Sequence, residues 1–287
     1  MNIVNILEEI EKVDGEIYER LSPRRSAMKD FYSMGKKIAF AAAPLALGSM
    51  FTKAYGQTLP TAVVNTLNFA LSLEYLEYHF YNHALLGTDV TFAYPTTAAK
   101  AAITTIRDHE LAHVNLLKGA LAGAARPEIT YAMTDFTASG TFGDVYQNYL
   151  TFLKVALGFE DTGVRAYKGQ ATVLKGNAVL TTALQIHSVE ARHASHIRQM
   201  LAAAGASIKP WISLGAGGIA NDTGEPQVDP VYAGESLDVQ AGVTITGING
   251  QTGVTKAAAV ESFDEPLDAA SVITIANLFL RAPNKLS

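Results

Sequence analysis

Cysteine is absent from this chain of 287 residues. That excludes disulfides, thiolate-bound zinc, iron–sulfur clusters and thiol catalysis, while leaving the compartment open. A metal held by this chain must use carboxylate, imidazole, phenolate or water. Such hard ligands suit iron and manganese, with zinc as a further choice. Charge is also scarce, at 17% of residues, and the basic residues are outnumbered, which leaves a net charge of −5. This argues against non-specific binding to nucleic acid. No stable membrane span is expected either. The apolar stretch Ile38–Phe51 is too short to cross a bilayer as a helix, and Pro44 interrupts it. What the chain does have is abundant alanine and enough length to bury a full core, so helix should dominate.

Residues 1–20 alternate apolar and acidic positions in the manner of an amphipathic helix. The charge then changes sign through Arg20, Arg24, Arg25, Lys29, Lys36 and Lys37. The run Ser22-Pro23-Arg24-Arg25-Ser26-Ala27-Met28-Lys29, followed by the short apolar stretch, resembles a twin-arginine export signal. Ala27 departs from the aromatic residue that motif prefers, and Pro23 separates the serine from the arginines. Ala54-Tyr55-Gly56 would end such a signal and leave Gln57 as the mature start. The competing reading of residues 1–56 is a helical arm that stays and packs on the domain. The first reading implies an exported, periplasmic protein and the second a cytoplasmic one.

Four long segments with helical periodicity follow, at Thr61–Leu86, Thr96–Leu121, Asp144–Gln170 and Asn177–Ala204. Each carries an apolar stripe in alternating steps of four and three, the rhythm of a packed helix. Each stripe is interrupted by acid or imidazole. In the first it reads Val63, Leu67, Ala70, Glu74, Glu77, Tyr81, Ala84. In the second, Ile103 and Ile106 lead to Glu110 and His113, and in the fourth Ala183 and Ile186 lead to Glu190 and His193. The third runs Tyr149, Leu153, Ala156, Glu160, Gly163, Tyr167. Between the second and third lies the crossover Gly123–Gly143, long for a bundle connection.

The first two helices repeat in the last two. Glu74 matches Glu160, Tyr81 matches Tyr167, and Glu110/His113 match Glu190/His193. In a Glu-x-x-His pair on a helix, both side chains reach one point, because residues three apart share a face. Two such pairs plus two single glutamates form the ligand set of a four-helix, two-metal carboxylate site. Glu77, one turn beyond Glu74, is an alternative or additional ligand. Its counterpart is Gly163, which favours Glu74 as the symmetric choice. A helical glycine costs about 1 kcal/mol relative to alanine, so Gly158 and Gly163 suggest a need for room.

With these residues in hand, the chain resembles the ferritin-like superfamily of di-iron and di-manganese carboxylate proteins. The segments LNFALSLEYLEYHFY, HELAHV, GFEDTGVRAYKG and SVEARHASHIR are most similar to the ferritin-like family that includes desiccation-related proteins. The resemblance covers roughly residues 60–205, and Phe263-Asp-Glu-Pro-Leu267 resembles that family's C-terminal extension. It implies an all-α, antiparallel ferritin-like four-helix bundle at 57–205 with a long crossover. An extension at 206–287 follows, with a short β pair within Leu237–Ile248, a turn at Asn249-Gly250 and one helix at Asp268–Arg281. It further implies two bound metal ions, with iron ahead of manganese. Glu74 and Glu160 would be single ligands, and Glu110, His113, Glu190 and His193 paired ones. Tyr81 and Tyr167 would stand near the metals as candidate catalytic residues.

Two redox metals a few ångströms apart can take two electrons from, or deliver two to, an oxygen species. The expected chemistry is therefore ferroxidase, peroxidase or catalase, with a hydrolytic dimetal role less natural for these ligands. The substrate would be O₂, peroxide or Fe²⁺, and the assembly a homodimer. The leading expectation is protection against oxidative or desiccation stress by peroxide or O₂ reduction. Iron handling, or a structural protein with a vestigial site, are the competing readings. His79, His83, Asp161 and Arg192 read as peripheral, the last two as interhelical pairs. His109 and His196 read as supports of the ligands or surface residues, and His187 as a side chain able to turn inward. Trp211 reads as packing in a tail that carries no chemistry.

Overall fold

The computed structural model describes residues 59–287, apart from Ile219, Ala241 and Gln251. The twin-arginine-like segment and its alternative, the helical arm of residues 1–56, lie outside the described residues. Bundle and extension together fall within one unit, Tyr55–Ser287.

Four helices carry the bundle: α1 Thr61–Leu86, α2 Thr97–Leu121, α3 Tyr149–Gln170 and α4 Val179–Ala203. Each starts where a polar side chain or proline satisfies or removes an early N–H. Thr96 Oγ1 accepts from Ala99 N at 3.0 Å, and Asn148 Oδ1 from Leu150 N at 3.0 Å. Asn148 explains why α3 begins five residues later than its apolar period suggests. Its extended backbone and capping side chain end the preceding turn and open the helix. Asn177 likewise accepts from Val179 N at 3.1 Å and delays α4. The antiparallel hairpins α1–α2 and α3–α4 face each other chiefly through α1 and α3. Among the described residues no helix is long and apolar enough to cross a membrane.

The crossover is held from the far end of the chain. Asp135 N donates to Phe279 O at 2.8 Å and Arg281 N to Met133 O at 2.9 Å, with Thr134 bridged to Leu280. Below it, Phe80 packs against Phe136, Tyr146, Phe152 and Phe159 with ring centroids 5.0–5.8 Å apart. This aromatic plug closes one end of the bundle.

The extension contains β1 Val239–Gln240 paired antiparallel with β2 Val243–Thr244, then α5 Lys256–Val260 and α6 Ala269–Ala276. The strands reverse at Gly242, whose positive φ suits the turn, and Asn249-Gly250 lies in a separate turn, Ile248–Gly250, as its sequence suggests. Helix α5 lacks a readable sequence signal beyond its Thr255 cap. Asp268 caps α6 as its sequence suggests, accepting from Ser271 N at 2.7 Å. The helix is shorter than its apolar pattern, because Leu280 turns extended to meet Thr134. Trp211 is half exposed and donates to Glu261 Oε2 at 3.0 Å, so it is not a packing residue.

Two buried arginines join extension to bundle. Arg198 of α4 meets Asp161 of α3 and Asp222 of the extension, each at 2.6 Å. Tyr232 donates to the same Asp161 oxygen at 2.7 Å. Arg165 of α3 pairs with Glu235 at 3.0 Å and donates to the carbonyls of Val231, Ala233 and Glu265. At Gly169 a Cβ would strike the carbonyl of Leu267, so the extension's backbone lies directly on α3 there. Asp161 is thus an interhelical pair, whereas Arg192 is exposed and joins no ion pair among the described residues. Removing Arg198 strands two buried carboxylates. Arg198→Ala should therefore cost about 3–5 kcal/mol, measured as a lowered urea midpoint with the slope unchanged.

Candidate metal centre

Acid at the centre of a helical bundle is expensive unless it is paired or bound to metal. Glu74, Glu110, Glu160 and Glu190 are nevertheless fully buried, one from each helix. The apolar neighbours on their stripes, Ile103, Ile106, Ile186 and Ile197, are buried with them, so helical periodicity alone aims these acids inward. His113 and His193, one turn beyond Glu110 and Glu190, retain only a small exposed edge.

The six side chains fall into two overlapping groups. Single atoms of Glu74, Glu110, His113 and Glu190 lie within 4.8 Å of one another, and so do atoms of Glu110, Glu160, Glu190 and His193. Glu110 and Glu190 are shared. Around His113, Nδ1 is 3.1 Å from Glu74 Oε2, 3.0 Å from Glu110 Oε2 and 3.0 Å from Glu190 Oε1. Around His193, Nδ1 is 2.8 Å from Glu110 Oε1 and 3.1 Å from Glu160 Oε2. One imidazole N–H cannot serve three carboxylates at once. Glu110 Oε1 and Glu190 Oε1 are close to these nitrogens yet lack the alignment of a hydrogen bond, and Glu190 Oε2, 3.9 Å from His193 Nδ1, is out of range of one. Buried, unsatisfied oxygens converging with nitrogen on two points are what a pair of divalent cations would satisfy. The donor set is all carboxylate and imidazole, so the residues fit such ions.

The tyrosines cross between hairpins. Tyr167 of α3 donates to Glu74 Oε1 at 2.5 Å, and Tyr81 of α1 donates to Glu160 Oε1. Each holds the oxygen that its glutamate turns away from the imidazole. Glu77 is also buried, and it lies beside Glu190. A Cβ at position 163 would sit 3.1 Å from Glu77 Oε1 and 3.3 Å from Glu190 Oε2. Gly163 therefore gives room to two carboxylates. Gly158 has only an ordinary contact, 3.6 Å, at its missing Cβ, and so makes no comparable space.

Histidines outside this set divide sharply. His109 Nδ1 is 2.9 Å from His193 Nε2, a contact that helical phase alone did not single out. His187 turns to the carbonyl of Val164 at 2.9 Å, away from the six-residue set. His79 and His83 are half-buried and not surface residues, because the crossover lies over them. His83 stacks on Tyr131 with centroids 4.3 Å apart, and His79 approaches Glu128 at 3.4 Å. His196 is exposed.

Burial drives the electrostatics of the cluster. It raises Glu74, Glu160, Glu77 and Glu190, the last two well above the usual carboxylate range, with neighbouring carboxylates adding to the shift. For Glu110 burial is outweighed by His113 and His193, which hold its carboxyl at about 2. Burial opposes charge on the two imidazoles as well, but Glu160 and Glu110 keep His193 protonated up to about 11, and Glu74 and Glu110 hold His113 well above its ordinary value. Tyr81 and Tyr167 are raised by burial and by the carboxylates they touch, so they remain neutral donors. Without metal the cluster balances itself with protons.

The sign of the resulting pH dependence follows by linkage. The raised carboxyls make the metal-free fold bind more protons than the unfolded chain once pH exceeds about 4.5, and the raised imidazoles do so above about 6.5, partly offset by His79 and His109, which burial lowers. The imidazoles' contribution is complete below about 6.5 and, for His193, is lost as pH rises through about 11. Glu110 acts oppositely, its contribution being lost only as pH falls from about 4.5 towards 2. Stability of the metal-free chain should then fall between pH 5 and 9, by about 1.4 kcal/mol per pH unit for each extra proton held. Divalent metal replaces those protons and should remove the slope. Urea titrations across this range, with chelator and with Mn²⁺, measure both; a metal-free chain that gains stability with pH would contradict the assignment.

A family model for the ferritin-like domain matches residues 62–203. No curated protein and no solved structure matches the chain. The matched span opens in the first turn of α1, closes at the end of α4 and contains every carboxylate and imidazole of the buried cluster. Residues 62–203 therefore belong to the ferritin-like domain family.

Proposed function

We propose that this chain holds two redox-active metal ions, iron or manganese, and reduces peroxide or O₂ in protection against oxidative or desiccation stress. The reading rests on one observation: two four-residue groups that share Glu110 and Glu190 at the buried centre of the bundle. Glu74 and His113 would complete one metal position, and Glu160 and His193 the other. When bound, such a pair supplies electrons two at a time to an O–O bond.

The chain's own residues set the conditions. Burial keeps bulk water away from the cluster and strengthens every charge interaction within it. Tyr167 and Tyr81 fix the orientation of Glu74 and Glu160. Glu77 stands buried beside Glu190 and opposite Gly163, where its carboxyl can pass a proton to a reduced oxygen. Each peroxide reduced to water takes two electrons and two protons. The chain has no cysteine with which to supply the electrons, so an external reductant must restore them.

Metal content of the purified chain, grown with iron and manganese, tests the reading. About two ions per chain are expected, lost in Glu110→Ala together with reductant-dependent consumption of peroxide. A wild-type chain that retains no metal under these conditions would leave only a structural role. Steady O₂ release from peroxide would identify disproportionation as the reaction, and turnover solely with added Fe²⁺ would identify iron oxidation.

A further inference from the structure

The cluster is nearly symmetric. Glu74, Tyr81, Glu110 and His113 each have a partner in Glu160, Tyr167, Glu190 and His193. His109 breaks the match. It precedes Glu110 on α2, and the residue in the same place before Glu190 is Val189.

His109 is half-buried and reaches across to α4. Its Nδ1 lies 2.9 Å from His193 Nε2, with the two rings nearly parallel at 16° and centroids 5.2 Å apart. His193 is therefore engaged at both nitrogens, Nδ1 towards Glu110 and Glu160 and Nε2 towards His109. For His193 to offer the Nδ1 lone pair to a cation, its proton must sit on Nε2. A neutral His109 with its own proton on Nε2 accepts that hydrogen bond at Nδ1. The contact thus selects the tautomer, fixes the ring and makes the imidazole a better donor. His113 Nδ1 faces three carboxylates, but among the described residues its Nε2 makes no hydrogen bond.

We propose that His109 is a positioning residue that makes the Glu160/His193 metal position the tighter of the two, so that the ions load in order and not as a simultaneous pair. The proposal rests on the dimetal reading above. Loss of a hydrogen-bond partner of this kind typically lowers metal affinity about 10–100-fold, enough to separate two binding steps.

The test is anaerobic titration of the metal-free full chain with Mn²⁺, followed by calorimetry and electron paramagnetic resonance. The first equivalent should give the signal of an isolated Mn²⁺ ion, and the second should replace it with that of a spin-coupled pair. His109→Ala should weaken the first step about 10–100-fold and leave the second nearly unchanged, so the isolated-ion signal shrinks. His109→Asn, whose side-chain oxygen can accept from His193 Nε2, should restore the order of filling. It also carries the test if the alanine variant folds poorly. Unchanged constants in His109→Ala, or an equal fall in both steps without rescue by asparagine, would overturn the proposal while leaving two bound ions intact. A wild-type chain that binds no Mn²⁺ would overturn the dimetal reading itself, and this inference with it.

Discussion

Five carboxylates and two imidazoles occupy a space from which water is almost wholly excluded, and the rest of the molecule is arranged around that fact. Charge of one sign cannot be gathered in a low dielectric without compensation. Here there are two means of compensation, protons and metal, and they compete for the same atoms. The apolar stripes above and below the cluster hold the helices close enough that the acids cannot separate, and the tyrosines limit how far the carboxylates can turn. The cluster is accordingly preorganised by packing that has no chemistry of its own, at a stability cost that bound metal would offset.

Two-fold repetition gives the box its six principal groups, and two departures from it give the box an orientation. Glu77 faces a glycine where its counterpart should be, which places an additional acid near Glu190. His109 has an aliphatic counterpart, which places an additional imidazole behind one histidine. The first departure sits on α1 and the second on α2, so the α1–α2 hairpin contributes both asymmetric groups to a centre whose framework the two hairpins share equally. A substrate meeting the two positions would find different surroundings at each.

Much of this was legible in the residues alone. Period and spacing locate the four helices, and the acids that interrupt the stripes of α1 to α4 are the acids that meet at the centre. Legibility fails where structure depends on partners remote in sequence. Asn148 and Asn177 shift helix starts by capping, which periodicity does not register. His79 and His83 look peripheral on a helical projection, but the crossover covers them. His109 sits off the inward stripe, and only the neighbouring helix shows that it has a ring to meet. The extension reads as a tail packed on the bundle, but nothing local to Asp222, Tyr232 or Glu235 announces that Arg198 and Arg165 hold it there.

The junction at Gly169 carries a consequence for chains of this architecture. The extension runs with Leu267 N donating to Arg165 O at 3.2 Å, and the backbone at Leu267 occupies the volume a side chain at 169 would need. Any larger residue there would lift the strap and pull Arg165 away from the carbonyls it gathers. A ferritin-like bundle with a bulky residue at that point of its third helix must route its C-terminal chain elsewhere or end with the bundle. One helical glycine thus records in this sequence the place where the third helix wears its strap.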